Sequence, residues 1–369
     1  MVTVADSTEE FPLRHAPARA PPDLGLLPGE THQRVHWRDA YDKLNAEDRL
    51  ALWAAKSALD NVDYNAYVRV RDALFPLAVS GGECGLGFRN RAGHKLREAM
   101  DAADVWEHLK RNVGKHGGPL TFVDICGGPG AFSQALFAIG AQHRMRLRGF
   151  GLTLRSDKGL DWYTDLPSRK FFPTYGIDGT GDIFKLENIE ALCSLTCKED
   201  VKLVVGDGGF DISMEVANYQ ETISSRIIYA QWFCAMKLLR HGGCFVLKLF
   251  DTFSPFSRAI LYLTTYLYEN VRIVKPCHSR VVNSERYLVC TGFVGVPTAW
   301  LVHFERCFQE GFIDNDGIPV IIPDAWVMED ETFAGDVMQM NSAIALKQVA
   351  ALRMVLNKLD LPQHSEGVV

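Results

Sequence analysis

Lys248 is the residue whose place in the sequence most strongly suggests chemistry. It lies inside the apolar run at 244–250, which follows two glycines and is typical of a strand buried on both faces of a parallel sheet. An unpaired ammonium there is costly or loses its proton. We therefore expect Lys248 at the strand's end, facing a cleft or paired with carboxylates, where a desolvated lysine can act as a base. The alternative is a lysine that reaches water from a sheet edge.

A carboxylate is placed to partner this lysine. Asp207 ends the apolar run at 201–206 and is followed by Gly208 and Gly209. Because neighbouring parallel strands end at the same rim of a sheet, Asp207 should lie near Lys248. The alternative is an aspartate that only forms a turn.

A glycine-rich loop follows the strand predicted at 121–126. Residues 121–132 read TFVDICGGPGAF, which indicates a strand, a loop and the start of a helix. In a doubly wound sheet this loop lies where ligands bind, and glycines let the backbone approach a ligand closely. The loop lacks the G-x-G-x-x-G fingerprint, and Asp124 suits a ligand with a cationic amino group better than a pyrophosphate. The alternative is an ordinary packing turn.

A second acidic turn covers residues 177–183, between a predicted strand and a predicted helix. Its Asp182 could accept a hydrogen bond from an adenine amino group. Aspartate is also a preferred N-cap residue of helices, and both roles can hold at once.

The elements that position these residues alternate between strand and helix from about residue 88. Helices are predicted at 36–60, 64–74, 88–110, 131–139, 185–196, 215–239, 255–268 and 341–358, and strands at 121–126, 147–154, 171–176, 201–206, 244–250, 271–274 and 286–293. The alternation predicts an α/β protein with a doubly wound, mostly parallel sheet. The connection at 275–285 is too short for a helix, so the last strand should run antiparallel.

Composition limits the classes of function. The 39 Lys and Arg against 45 Asp and Glu give a net charge of −6, so nucleic-acid binding would need a local basic surface. Residues 88–97 carry four cationic side chains and could provide it. No segment looks like a signal peptide or reaches the ~18 apolar residues of a membrane span, so we expect an intracellular protein with no membrane contact.

The nine cysteines form no paired framework. Cys193 and Cys197 lie four residues apart on a predicted helix, a spacing that could ligate a metal ion. No second Cys or His pair stands nearby in the sequence, so we expect two packed or surface thiols and no metal site.

Seven segments carry a resemblance to a known family. They are NRAGHK at 90–95, DICGGPGAF at 124–132, GFGLTL at 149–154, DGTGDI at 178–183, DGGF at 207–210, LKLFDTFSPFS at 247–257 and SRVVNSERY at 279–287. In this order they resemble the FtsJ-like family of S-adenosylmethionine-dependent RNA ribose 2′-O-methyltransferases. The likeness is greatest to the catalytic domain of eukaryotic enzymes that methylate the first transcribed nucleotide of capped mRNA, and it spans about residues 88–295.

The resemblance implies the site residues. The family's catalytic tetrad falls on Lys95, Asp207, Lys248 and Glu285. S-adenosylmethionine would be held by Asp124, Cys126, Gly127, Gly128, Pro129, Gly130, Phe132, Asp182 and Asp207. Substrate contacts are expected from the basic segment and from the loop before Glu285, through Arg91, Ser279, Arg280, Asn283 and Ser284. The candidates for stacking on a cap guanine are Trp37, Phe210 and Trp232, although the last is more typical of a helix core.

Composition, helical spacing and the resemblance together predict a division of the chain. Residues 1–30, rich in proline, alanine and glycine, are expected to form a flexible arm. Residues 31–85 should form a helical N-terminal extension, and residues 86–296 a Rossmann-like methyltransferase domain. Residues 297–369 should form a C-terminal helical extension packed on the core.

Methylation of a ribose requires that the hydroxyl lose its proton. A neutral lysine can accept the proton, but the pKa of free lysine is ~10.4 and must be lowered. We expect Lys95 and the sulfonium of the cofactor to lower the pKa of Lys248, and Asp207 and Glu285 to limit that shift.

The substrate implied by the resemblance is capped mRNA, with the capping or transcription machinery as candidate partners and the nucleus as the compartment. One alternative is a ribose 2′-O-methyltransferase of ribosomal or transfer RNA, which would share the tetrad. An inactive RNA-binding or scaffolding subunit that keeps the fold is disfavoured because all four tetrad positions are filled. A nicotinamide-dependent enzyme is disfavoured because the glycine-rich loop lacks the G-x-G-x-x-G pattern of dinucleotide-binding proteins.

Overall fold

An eight-stranded sheet organises the part of the chain that the computed structural model describes, residues 7–24, 33–77, 87–113, 118–155, 161–210, 212–312 and 316–359. Its strands are β1 (Glu9–Leu13), β3 (Leu120–Ile125), β4 (Leu147–Leu152), β5 (Phe171–Thr174), β6 (Val201–Gly206), β7 (Cys244–Leu249), β8 (Tyr268–Lys275) and β9 (Arg286–Phe293). Two short strands, β2 (Arg34–His36) and β10 (Gly317–Pro319), pair with each other.

The sheet has the order β1-β8-β9-β7-β6-β3-β4-β5. Strands β7, β6, β3, β4 and β5 are parallel, and β9 runs antiparallel to both β7 and β8. The connection between β8 and β9 is too short for a crossover helix, which forces the reversal. The predicted α/β class, the doubly wound and mostly parallel sheet and the antiparallel last strand are confirmed.

Helices cover both faces of the sheet. The described helices are α1 (Ala46–Ser57), α2 (Tyr64–Leu74), α3 (Arg91–Ala102), α4 (Val105–Val113), α5 (Ala131–Gln142), α6 (Leu186–Leu195), α7 (Gln220–Ile223), α8 (Ser225–Leu238), α9 (Pro255–Leu267), α10 (Thr298–Glu310), α11 (Asp324–Met328) and α12 (Glu331–Lys358). Helices α6, α8 and α9 share one apolar core with the sheet, and α3, α4 and α5 share another. A third cluster joins α1 and α2 to α12. Within the described ranges, no helix has the length and hydropathy needed to cross a bilayer.

Four helices differ clearly in extent from their predictions. The helix predicted at 341–358 begins ten residues earlier, as α12. The helix predicted at 88–110 is interrupted between α3 and α4, where Asp104 adopts a left-handed φ of 51°. The helix predicted at 215–239 is divided into a 3-10 turn, Met214–Tyr219, and the helices α7 and α8. The ring of Tyr219 packs against Trp37 and Trp53 of the N-terminal extension. Of the helix predicted at 36–60, only α1 is helical.

Residues 7–24 are not a flexible arm, which corrects the prediction from composition. Strand β1 pairs antiparallel with β8, Leu13 is buried, and Arg14 forms an ion pair with Asp336 of α12. The free edge of β8 offers backbone partners that composition cannot indicate. Residues 1–6 and 25–30 of the predicted arm lie outside the described residues.

Candidate active site

Lys248 and Asp207 meet at the rim where β7 and β6 end. Lys248 Nζ lies 2.9 Å from Asp207 Oδ1 and donates a hydrogen bond of 2.7 Å to the Asp207 carbonyl oxygen. Strand β7 lies between β6 and β9, so the lysine is not on a sheet edge. The geometry therefore excludes the alternative of a lysine reaching water from an edge strand.

The second lysine–acid pair joins the first at the same rim. Lys95 lies in the first turns of α3, and its Nζ lies 2.7 Å from each carboxylate oxygen of Glu285, the residue that precedes β9. Tyr287 donates a further hydrogen bond of 2.7 Å to Glu285 Oε1. The structure thus brings all four residues of the predicted tetrad together as two ion pairs.

The pKa of Lys248 is not lowered in the way that the sequence led us to expect. Burial lowers the pKa of Lys248, but the charge and hydrogen bond of Asp207, followed by the charge of Glu285, outweigh it and raise the pKa. Lys95 does not act as the expected repelling neighbour because its charge is taken up by Glu285. Burial raises the pKa of Glu285, and Lys95 and Tyr287 reverse this shift, so that its pKa is lowered. In the protein alone, Lys248 is therefore an ammonium at neutral pH.

A buried network supports the loop that carries Glu285. Asp251 accepts hydrogen bonds from Lys56 at 3.0 Å, from Ser284 at 2.8 Å and from Arg286 at 2.7 Å. Burial raises the pKa of Asp251, but Lys56 and Arg286 outweigh it and the pKa is lowered. The network ties the N-terminal extension, the end of β7 and the start of β9 to one carboxylate.

The glycine loop after β3 surrounds a fully buried carboxylate. Asp124 Oδ2 accepts hydrogen bonds from the backbone N–H of Ser133 at 3.1 Å and from its hydroxyl at 2.6 Å. Burial, opposed by the Ser133 hydroxyl and reinforced by Asp207, raises the pKa of Asp124 to about 7. Its Oδ1 is buried without a hydrogen-bond partner. A Cβ on Gly127 would lie 2.2 Å from that oxygen, so only glycine leaves this approach open.

The turn at 177–183 packs against the end of β4. The backbone N–H of Phe184 donates a hydrogen bond of 2.9 Å to Asp182 Oδ1 within this turn. The N-cap residue of α6 is Lys185, so the alternative of Asp182 as a helix N-cap is wrong. Gly181 has a φ of 68°, and a Cβ there would lie 1.7 Å from the Thr153 carbonyl oxygen. The apolar side chain of Leu154 beside it is 60% exposed. This exposed leucine, next to Asp182, is a candidate ligand-binding residue that the sequence did not indicate.

Some predicted cofactor residues have other surroundings than expected. The side chain of Phe132 is buried in the core against Tyr287. Cys126 is half-buried with a left-handed φ of 56°, and burial raises the pKa of its thiol to about 12, which keeps it protonated. Gly128 donates a backbone hydrogen bond of 3.1 Å to Thr153, and Gly130 begins α5. Pro129 accepts a backbone hydrogen bond of 2.8 Å from Tyr163.

A cavity of about 470 Å³ opens beside Glu285. Its walls come from α1, α2, the turn before α7, the loop after β8 and α12. Among the predicted substrate residues, Asn283 and Ser284 line it, whereas Ser279 is buried with its hydroxyl outside the cavity lining. Further lining residues are Lys56, Asp60, Tyr64, Tyr67, Asn218 and Gln348.

The other two predicted substrate residues belong to an arginine cluster, defined here as Arg71, Arg91 and Arg280 around Asp72. Asp72 Oδ1 lies 2.8 Å from Arg71 Nε and 2.7 Å from Arg280 Nη1. The hydrogen bond from Arg71, then the charges of Arg280 and Arg91, lower the pKa of the Asp72 carboxyl. One carboxylate cannot neutralise three guanidinium groups. The cluster is a local positive region on an acidic protein, in which Arg91 is exposed and Arg280 is buried.

None of the three aromatic residues predicted to stack on a base lines the cavity beside Glu285. Trp37 packs on Tyr219, and Trp232 is fully buried with its indole N–H donating to Thr264. Phe210 is 44% exposed, but it faces a second cavity of about 460 Å³ that it shares with Phe184. Tyr64, 71% exposed, and Tyr67 supply the aromatic wall instead.

The match with known families fits this geometry. The model of the FtsJ-like methyltransferases matches residues 88–293, which include both ion pairs and the glycine loop. The chain belongs to the FtsJ-like methyltransferase family. It is therefore an enzyme of the methyltransferase class, as the sequence motifs predicted.

Three relatives of this FtsJ-like methyltransferase bear the name cap-specific mRNA (nucleoside-2′-O-)-methyltransferase 1. The protein of Trypanosoma brucei brucei is 65% identical over 100% of both chains. The protein of Leishmania braziliensis is 50% identical over 97% of this chain and 91% of its own. The protein of Mus musculus is 31% identical over 81% of this chain, which corresponds to 37% of the mouse protein.

Proposed function

We propose that this FtsJ-like methyltransferase transfers a methyl group from S-adenosylmethionine to the ribose 2′-hydroxyl of the first transcribed nucleotide of capped mRNA. The proposal is carried by the position of the Lys248–Asp207 and Lys95–Glu285 pairs, at one rim of the sheet and next to the glycine loop. The names of the trypanosome and mouse relatives, which specify the mRNA cap, support the cap as the substrate.

The residues around the glycine loop fit S-adenosylmethionine. The buried, unpartnered Oδ1 of Asp124 suits the cationic amino group of the methionine part. Asp182 offers a carboxylate oxygen to the adenine amino group, and the exposed side chain of Leu154 offers an apolar surface to the ring. When bound, S-adenosylmethionine supplies the methyl group and a positive charge that opposes the protonation of Lys248.

Lys248 is the group proposed to take the hydroxyl proton. Asp207 holds Lys248 Nζ through its carboxylate and its carbonyl oxygen, so the orientation of the amine is fixed. Lys95 and Tyr287 fix Glu285 on the other side of the same rim. Two lysines and two acids share protons here, so the apparent pKa values belong to the group as a whole. Much of the rate is expected from holding the two substrates in line.

The 5′ end of the RNA is proposed to bind in the cavity beside Glu285. A guanine methylated at N7 is cationic, and Asp60, Tyr64 and Tyr67 combine a carboxylate with aromatic faces that attract such a ring. The arginine cluster would contact RNA phosphates, because it is a positive surface near Asn283 and one helical turn from Lys95. Binding of capped mRNA would place the protein with the capping or transcription machinery in the nucleus.

Labelled methyl transfer tests the proposed function. We expect kcat/KM for an RNA with an N7-methylguanosine cap to exceed that for the same RNA with a 5′ triphosphate by about tenfold or more. Equal rates on both RNAs, or transfer to ribosomal or transfer RNA alone, would replace the proposal by the other ribose methyltransferase. Cofactor and RNA binding without transfer to any RNA would favour the scaffolding alternative.

The raised pKa of Asp124 predicts a pH dependence of cofactor binding. Its carboxyl is neutral below about pH 7 and ionised above it. A cationic amino group binds the ionised form, so affinity should be up to about 25-fold weaker at about pH 5.5 than at about pH 7.5. Calorimetry on the wild type and on Asp124→Asn measures this, and the variant should bind weakly at both pH values. Adenosine, which has no amino acid part, is the control ligand. A wild-type affinity that does not change with pH would contradict the role of Asp124.

A further inference from the structure

Lys275 is a buried lysine that neither ion pair of the rim uses. It ends β8, and its side chain is among the buried charged groups, with 6% of the residue exposed. Its Nζ donates one hydrogen bond to the carbonyl oxygen of Asn283 and another, of 2.7 Å, to the carbonyl oxygen of Glu285. No carboxylate of the described residues forms an ion pair with it. A buried ammonium without a counter-ion is costly, so this lysine needs a reason to be there.

The two carbonyl acceptors lie on the loop that carries the site. Residues 276–285 join β8 to β9, so Lys275 stands at the start of the loop and binds its end. Asn283 and Ser284 line the cavity, and Glu285 holds Lys95. The loop also contains Arg280 with a φ of 62°, a conformation that a non-glycine residue adopts only when its surroundings hold it. Lys275 therefore ties the start of the loop to two backbone carbonyl groups at its end, those of Asn283 and of the tetrad residue Glu285.

The amine can do this with or without its third proton. A neutral lysine amine has two N–H donors, and the structure supplies two carbonyl acceptors. Burial, followed by the charge of Arg286, lowers the pKa of Lys275 to about 7. The charged groups that face it from the surrounding elements are Lys95 on α3, Asp251 after β7, Glu285 and Arg286 at β9, Glu9 on β1 and Lys347 on α12.

We propose that Lys275 is a positioning residue for methyl transfer, which fixes the backbone at Asn283 and Glu285 so that the tetrad and the cavity wall keep their geometry. The proposal rests on the proposed function. It differs from a purely structural role, because loosening the loop would move Glu285 relative to Lys248 without removing any group of the tetrad.

The test compares Lys275→Met, which removes both donors, with the wild type. We expect kcat on capped RNA to fall about ten- to a hundredfold and KM for the RNA to rise, while the affinity for S-adenosylmethionine stays unchanged. Glu285 raises the pKa of Lys248, and Lys95 released from Glu285 would repel it, so the acid limb of the pH–rate profile should shift to lower pH. A mere loss of folded protein would lower the apparent kcat and leave that limb in place.

Two further variants make the result decisive. Lys275→Gln keeps two N–H donors and should retain more of the rate than Lys275→Met. Lys202→Met is the matched control, because Lys202 is a half-buried lysine of β6 that also donates to a carbonyl oxygen, that of His241, and it should leave kcat and the pH profile unchanged. If the wild type is active and a folded Lys275→Met variant has the same kcat, KM and pH profile, the positioning role is overturned and the proposed function stands. A wild type that methylates no RNA would overturn the proposed function and, with it, this role.

Discussion

Lys248→Met is expected to abolish methyl transfer to capped RNA while leaving the affinity for S-adenosylmethionine close to that of the wild type. General-base catalysis by a positioned side chain contributes about 10²–10⁴-fold, and methionine keeps the length of lysine but cannot accept a proton. The cofactor contacts proposed for Asp124 and Asp182 lie elsewhere, at the end of β3 and in the turn before α6, and should survive. Single-turnover transfer of labelled methyl measures the rate, and calorimetry measures cofactor binding.

The matched control for this variant is Lys237→Met. Lys237 is also a partly buried lysine in an ion pair, 2.9 Å from Glu305, but it lies on α8, away from the rim. Its replacement should leave kcat unchanged. A Lys248→Met enzyme that keeps a substantial part of the wild-type rate would remove Lys248 from the role of base.

Arg286→Met is expected to be the most destabilising of the substitutions considered. The Arg286 side chain is 1% exposed and donates a hydrogen bond of 2.7 Å to Asp251 Oδ1. Its removal takes away the more deeply buried of the two cationic partners of Asp251 and leaves Lys56 as the other. Breaking a buried pair in this way costs up to about 3–5 kcal/mol of the free energy of unfolding. Urea unfolding followed by circular dichroism measures the loss.

Arg272→Met is the control, because Arg272 lies on the neighbouring strand β8 and its ion pair with Glu10 of β1 is partly exposed. Surface pairs contribute about 0–1 kcal/mol, so this variant should unfold almost as the wild type does. Equal losses of unfolding free energy for the two variants would show that the ion pair of Arg286 with Asp251 does not stabilise the fold more than a surface pair does.

The sheet and its rim could be predicted because they follow from local patterns. Apolar runs identified six strands of the sheet to within two residues at each end, whereas β8 begins three residues earlier than predicted. The rule that parallel strands end at one rim then brought Asp207 to Lys248. The resemblance added Lys95 and Glu285, which lie far in sequence from Asp207 and Lys248 and carry no local signal of their own.

The surroundings of the rim could not be predicted because they depend on contacts between distant segments. Lys56 reaches Asp251 across 195 positions in sequence, and its helix α1 has no motif that indicates this partner. Strand β1 forms only because the edge of β8 is free, which composition cannot reveal. The pKa of Lys248 was predicted in the wrong direction for the protein alone, because Lys95 is neutralised by Glu285 and leaves Asp207 as the dominant neighbour.

Mapping the methylated nucleotide tests the central claim most directly. Capped RNA of defined sequence would be incubated with the enzyme and labelled S-adenosylmethionine, digested with a nuclease that leaves 2′-O-methylated linkages intact, and analysed by mass spectrometry. We predict one methyl group on the 2′-oxygen of the first transcribed nucleotide, present with the wild type and absent with Lys248→Met. A methyl group on a base, on the cap guanine or on an internal ribose would contradict the account.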